Sequence, residues 1–187
     1  FRPIVRANSL GSGVNLPKEP PYAADVKVAI LDGGLPKLSA VQPWVQNYRL
    51  SNEEAADLDG GPDHGLGVTS AFLFGPLDPE DTVPRPFSYV DHHRVLDADI
   101  HGDDPLELYK TLGHIEEILL SHQYEFINLS LGPDLPIDDD EIHPWTSLLD
   151  TYLADGRTFL TIAAGNNGDN DSTLGLDRIQ VPSDCVN

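Results

Sequence analysis

Short apolar, β-branched runs alternate along this chain with stretches whose apolar residues recur at helical spacing. Val26–Leu31 is such a run, closed by Asp32-Gly33-Gly34, and predicts a buried strand ending in a tight turn. Pro36–Asp63 carries no clear period and reads as mostly loop, with Trp44 and Tyr48 as anchors. His64–Gly75 crowds small and apolar residues together, as a helix buried nearly all round would. Ser88–Leu96 is a second strand. Leu108, Leu112, Ile115 and Leu119 then recur at helical spacing, with Glu107, Glu116 and Glu117 between them. Asp104 before Pro105 supplies an N-cap and a first-turn proline for that helix. Tyr124–Leu131 is strand-like, and Trp145–Leu153 is helical up to Asp155-Gly156. Thr158–Ala164 is another buried strand, opening into Gly165-Asn166-Asn167-Gly168. Strands alternating with helices imply βαβ units, a mostly parallel sheet and an α/β fold. The chain reads as an extended lead-in, 1–24, and one α/β domain, 25–187.

Composition leaves that picture intact and narrows the partners. The 187 residues are 40% hydrophobic and 22% charged, as in an ordinary globular domain. The charge balance is unusual: 31 acidic residues against 11 basic ones leave −20, which argues against a nucleic-acid backbone or an anionic membrane as partner. No apolar run approaches the roughly 18 residues of a membrane span, and no signal-peptide pattern opens the chain. A single cysteine, Cys185, excludes an internal disulfide and leaves the compartment open. The start at Phe1, the absence of methionine and the end at Val186-Asn187 are expected to mark a piece of a longer protein.

In open parallel sheets, function gathers at the carboxyl ends of the strands. Asp32, Ser130 and Asn166 each follow a predicted strand there, and His64 opens a predicted helix. Singly, each has a plain structural reading: Asp32 and Asn166 as turn residues, His64 as a helix-start residue. In order and with their flanks, they resemble the subtilisin-like serine proteases. The motifs that carry the resemblance are Val28-Ala29-Ile30-Leu31-Asp32-Gly33-Gly34, His64-Gly65-Leu66-Gly67-Val68, Ile127-Asn128-Leu129-Ser130-Leu131-Gly132 and Ala163-Ala164-Gly165-Asn166.

The resemblance implies a three-layer α/β fold with helices on both faces of the sheet, and peptide-bond hydrolysis by acyl transfer. It implies that Asp32 orients His64, that His64 moves the serine's proton, and that Asn166 donates to the oxyanion. Ser130, Leu131 and Gly132 would offer a strand edge to an extended peptide substrate. Leu66 and Gly34 depart from the family pattern without removing a catalytic atom. The larger departure is the nucleophile. Its Gly-Thr-Ser motif is expected several tens of residues beyond Asn166, whereas 21 residues follow it here. Ser172 and Ser183 read as loop serines, so the isolated chain is expected to be inactive. A segment missing from the family's domain would also uncover apolar surface, implying self-association or pairing with the remainder of a longer chain.

Weaker constellations complete the reading. Asp97, Asp99, Asp103 and Asp104 alternate as in calcium loops, but the twelfth position is Leu108, so a solvated acidic loop is preferred to a bound calcium, which stays as the weaker alternative, and no other cofactor is expected. Asp138-Asp139-Asp140-Glu141 reads as a solvated run. His92 and His93 would face opposite sides of a strand, which disfavours a shared metal. The rival to a peptidase is a non-catalytic module that binds extended peptides or a partner subunit through Ser130–Gly132. A metal-dependent hydrolase using the Asp/His-rich loops is the weaker rival.

Overall fold

The computed structural model describes residues 15–77, 82–99 and 106–186, which fall into two compact units, one within 5–100 and the other chiefly within 101–187. Residues 1–14 of the lead-in, the Asp104-Pro105 helix start and the Asp103-Asp104 end of the acidic loop lie outside the described residues.

The first unit is built on β1 (Val28–Asp32), β2 (Val45–Leu50) and β3 (Val90–Arg94), with one helix, α1 (Gly61–Phe74). β3 lies between β2 and β1, and both pairings are parallel, as successive strands joined by crossovers require. Ala29, Ile30 and Leu31 are wholly buried, which is why β1 reads as an unbroken apolar run. β2 falls inside the stretch expected to be mostly loop. Its side chains from Gln46 to Leu50 are exposed, so no burial pattern marks it in the sequence. Trp44 is buried edge-on against Phe74, with ring centroids 5.1 Å apart. The rest of the lead-in is strapped down: Tyr22 and Ala23 donate to the carbonyls of Pro86 and Phe87, and the Arg85 guanidinium lies over the Tyr22 ring.

The second unit contains α2 (Glu107–Leu120), β4 (Phe126–Leu129), α3 (Pro144–Leu153) and β5 (Phe159–Ile162), with β4 and β5 parallel. Ile115, Ile127, Leu129, Trp145 and Leu149 form its core. Trp145 donates its indole N–H to the Leu108 carbonyl at 3.2 Å, and Tyr152 donates to Glu116 at 2.6 Å, so α2 and α3 are tied at two heights. Every strand pairing within each unit is parallel, and the strands alternate with helices: the α/β class is as expected.

Candidate functional site

Asp32 is the last residue of β1, and its carboxyl group is almost wholly buried at 1% exposure. Oδ1 accepts two hydrogen bonds of 2.7 Å, one from the Gly33 backbone N–H and one from His64 Nδ1–H. Oδ2 has no hydrogen-bond partner among the described residues. His64 stands in the first turn of α1, three residues after the helix begins, and its side chain remains 24% exposed. The hydrogen bond to the Asp32 carboxylate raises the His64 pKa above its usual 6.5; partial burial opposes that shift without cancelling it.

A row of glycines sets this distance. A Cβ on Gly33 would lie 2.8 Å from Gly61 Cα, and a Cβ on Gly61 would lie 2.8 Å from the Gly33 carbonyl oxygen. A Cβ on Gly65 would lie 2.0 Å from the Gly34 oxygen, far inside any tolerable contact. The first turns of α1 therefore rest directly on the backbone that follows β1, without side chains between them. Gly34, at φ +109°, also passes beneath Tyr48 and Arg94, where a Cβ would meet the Tyr48 hydroxyl at 2.8 Å. Arg94, Cα partner of Asp32 on β3, is 3% exposed. Its guanidinium donates to Asp57 at 2.5 Å and to the carbonyls of Asn52 and Ala55 at 2.6 and 2.8 Å. That anchors the loop leading into α1.

Neither Gly61 nor Arg94 stands out in the sequence reading. The available signal was the four-residue repeat Gly61, Gly65, Thr69, which places three small residues on one helical face. Gly60 at φ +73° and Pro62 start α1 at Gly61, three residues before the expected boundary.

The other expected site residues lie in the second unit. Asn166 follows β5 and is exposed, and Gly165 before it takes φ +94°. Ser130, Leu131 and Gly132 are half-buried beyond the end of β4. Ser130 Oγ accepts from Asn128 Nδ2 at 2.8 Å, and Asn128 Oδ1 accepts from Thr161 at 2.9 Å, a chain that crosses from β4 to β5. Gly132 packs against Val181: a Cβ there would sit 2.5 Å from the Val181 oxygen. Just beyond, Ile137 and Val181 donate to the carbonyls of Ile179 and Leu135 at 3.1 and 3.0 Å, joining the two segments as a short antiparallel pair. His92 and His93 both lie in β3 and are both buried.

No protein-family model matches the chain, and no curated protein matches it. Solved structures do. A point mutant of the protease domain of PatA is similar over 85% of this chain and 54% of its own, at 24% identity and TM-score 0.52. The A-subunit of the AB5 toxin from E. coli is similar over 84% of this chain and 50% of its own, at 17% identity and TM-score 0.50. The chain thus spans about half the length of these structures, and the likeness is one of fold, a protease-like fold in the first case. This corrects the assignment to the subtilisin-like serine protease family. With no family model matched and identities this low, membership does not follow from four short motifs. The physical reason is that much of each motif answers a local need of a parallel α/β fold: Gly33 and Gly65 are close backbone approaches, and Gly165 has a left-handed backbone.

Proposed function

We propose that this chain carries the acid–base half of a serine endopeptidase, which hydrolyses peptide bonds by acyl transfer. The observation that carries this reading is the 2.7 Å hydrogen bond from His64 Nδ1 to a carboxylate buried at the end of β1. A carboxylate on Nδ1 leaves Nε2 as the basic nitrogen, fixes the ring's orientation and stabilises the imidazolium that forms during proton transfer. The partly exposed His64 ring can receive a substrate or a nucleophile, whereas the buried Asp32 can act only through His64.

The remaining roles follow as parts of the same proposal. Asn166, exposed beyond β5, donates its side-chain N–H to the oxyanion. Ser130, Leu131 and Gly132 bind an extended peptide through their backbone. Among the described residues of its own unit, no serine hydroxyl bonds to His64. The nucleophile is a serine supplied by residues outside this sequence, and the 187-residue chain alone is inactive.

The test compares the isolated chain with the full-length protein, using a serine-directed phosphonate probe and a fluorogenic peptide. The isolated chain is expected to take no label. The full-length protein is expected to be labelled at one serine and to cleave peptide, with His64→Ala losing roughly 10⁴- to 10⁶-fold in turnover. A full-length protein that binds extended peptides but is neither labelled nor active would overturn the proposal in favour of a non-catalytic binding module.

A further inference from the structure

His92 is a buried histidine that the proposed chemistry does not use. It lies in the middle of β3, wholly shielded from solvent, with Ile30 of β1 and Tyr48 of β2 as its strand partners. The Tyr48 ring centroid is 5.8 Å from its own. Two contacts tie it to α1. Nδ1 is 3.0 Å from Thr69 Oγ1, and a Cβ on Gly65 would lie 3.0 Å from Cε1. The imidazole therefore occupies the space directly under Gly65, the residue next to His64. Nε2 has no partner. The tautomer with hydrogen on Nδ1, donating to Thr69, leaves no buried N–H unpaired.

A ring so placed does two things. It fills the volume between sheet and helix at Gly65, where the helix has no side chain of its own. It also fixes the helix along its axis, because Thr69 stands one turn beyond Gly65 on the same face. Gly61 on Gly33, Gly65 on Gly34 and Thr69 on His92 form a three-point seat for the first half of α1. His64 projects from that half, and its bond to Asp32 is short enough that a small shift of the helix would break it.

We infer that His92 is a positioning residue for His64: its ring and its bond to Thr69 seat α1 at the height where His64 Nδ1 reaches Asp32. This rests on the reading of Asp32 and His64 as an acid–base pair. A neutral ring is what the site requires, and burial holds the His92 pKa down to about 3, so it remains uncharged throughout the physiological range.

The test follows the His64 ring by NMR titration in the intact 187-residue chain, alongside melting temperature. Asp32→Asn is expected to lower the His64 pKa and abolish its low-field Nδ1–H resonance. Thr69→Val, which removes only the hydroxyl, and His92→Asn, which removes the ring but retains an amide that can meet Thr69, are expected to lower the His64 pKa by less and to broaden that resonance. Leu73→Ala, a buried deletion on the same helix, is expected to lower the melting temperature while leaving the His64 titration in place. If Thr69→Val and His92→Asn behave like Leu73→Ala, the positioning role is overturned. If Asp32→Asn also leaves the titration unmoved, the acid–base reading itself fails.

Discussion

The segment that carries Asp32 and His64 and the segment that carries Ser130 and Asn166 are built in opposite ways. Asp32 sits at 1% exposure on a strand end, held by two short hydrogen bonds, under a helix pressed onto bare backbone. Asn166 is exposed on a turn, and its side chain makes no hydrogen bond among the described residues. The difference teaches what each proposed role requires. A general base must be held in one tautomer and one orientation before substrate arrives, so its support is built into the core. An oxyanion donor has no partner until charge develops, so a free amide group on a turn suits it.

The sharpest way to break this comparison is to remove one polar group from each region in the full-length protein. Asp32→Asn is expected to lower turnover by about 10⁴-fold, because His64 loses its tautomer and its counter-charge. The same change leaves a buried amide against Gly33 N–H and lowers stability as well. Asn166→Ala is expected to cost about 10² to 10³ in turnover. Its stability should stay within about 0.5 kcal/mol of the parent, since the side chain is exposed and its loss breaks no hydrogen bond among the described residues. Steady-state kinetics and urea unfolding on both variants check this. An Asn166→Ala protein destabilised as much as Asp32→Asn would erase the distinction.

Parts of both regions are legible in the sequence, for different reasons. β1, β4 and β5 show as apolar runs, and Asp32 and Asn166 show because polar residues break those runs; β1 is buried throughout and β4 at alternate residues, whereas β5, expected to be buried, leaves Phe159 exposed and its other residues half-buried. α2 shows because Leu112, Ile115 and Leu119 line one buried stripe. β2 does not show: it is an edge strand with Gln46, Asn47 and Arg49 exposed, and its pairing with β3 is supported by contacts that only the fold brings together, such as Asn47 donating to Asp91 at 2.8 Å. The seat of α1 is equally silent. Gly33, Gly61 and Gly65 act through the side chains they lack, and which backbone each one touches is decided only when strand and helix meet in space. His92 reads as half of a His-His pair in a strand that also carries Asp91 and Arg94, and nothing local announces Thr69, 23 residues earlier, as its partner.

The seat can be tested by filling it. Gly65→Ala puts a methyl group 2.0 Å from the Gly34 oxygen, and because backbone opposes backbone, neither side can rotate away. Overpacking of this kind is expected to cost about 3 kcal/mol in urea unfolding and to lower the His64 pKa as α1 lifts from Asp32. Gly113→Ala is the matched control. It lies within α2 with nothing inside 4 Å of its added Cβ, so helix propensity should raise stability by about 0.5 to 1 kcal/mol. Two glycine-to-alanine changes in helices should thus move stability in opposite directions; equal effects would mean that the tight approach at Gly65 is not what holds the helix.

Smaller per unit of pH, but separable by sign, is the response to acid. His92 and His93 are buried in β3, and burial lowers their pKa values to about 3 and about 4, against 6.5 for the ordinary group. Between pH 6.5 and those values the unfolded chain binds protons that the folded chain refuses. Stability should therefore fall as pH drops through that window, by up to about 1.4 kcal/mol per pH unit for each histidine. His64 runs the other way. Its pKa is raised by Asp32, so the stability it contributes is fully present below pH 6.5 and is lost as pH rises through the raised value. Urea unfolding between pH 3 and pH 8 should show a maximum between the two effects. His92→Phe should flatten the acid limb, and Asp32→Asn should remove the decline on the neutral side. An acid limb unchanged in His92→Phe would mean that His92 is already protonated in the folded protein. A charged ring would need a second partner for its orphaned Nε2, and the seat beneath Gly65 would then be held by charge instead of shape.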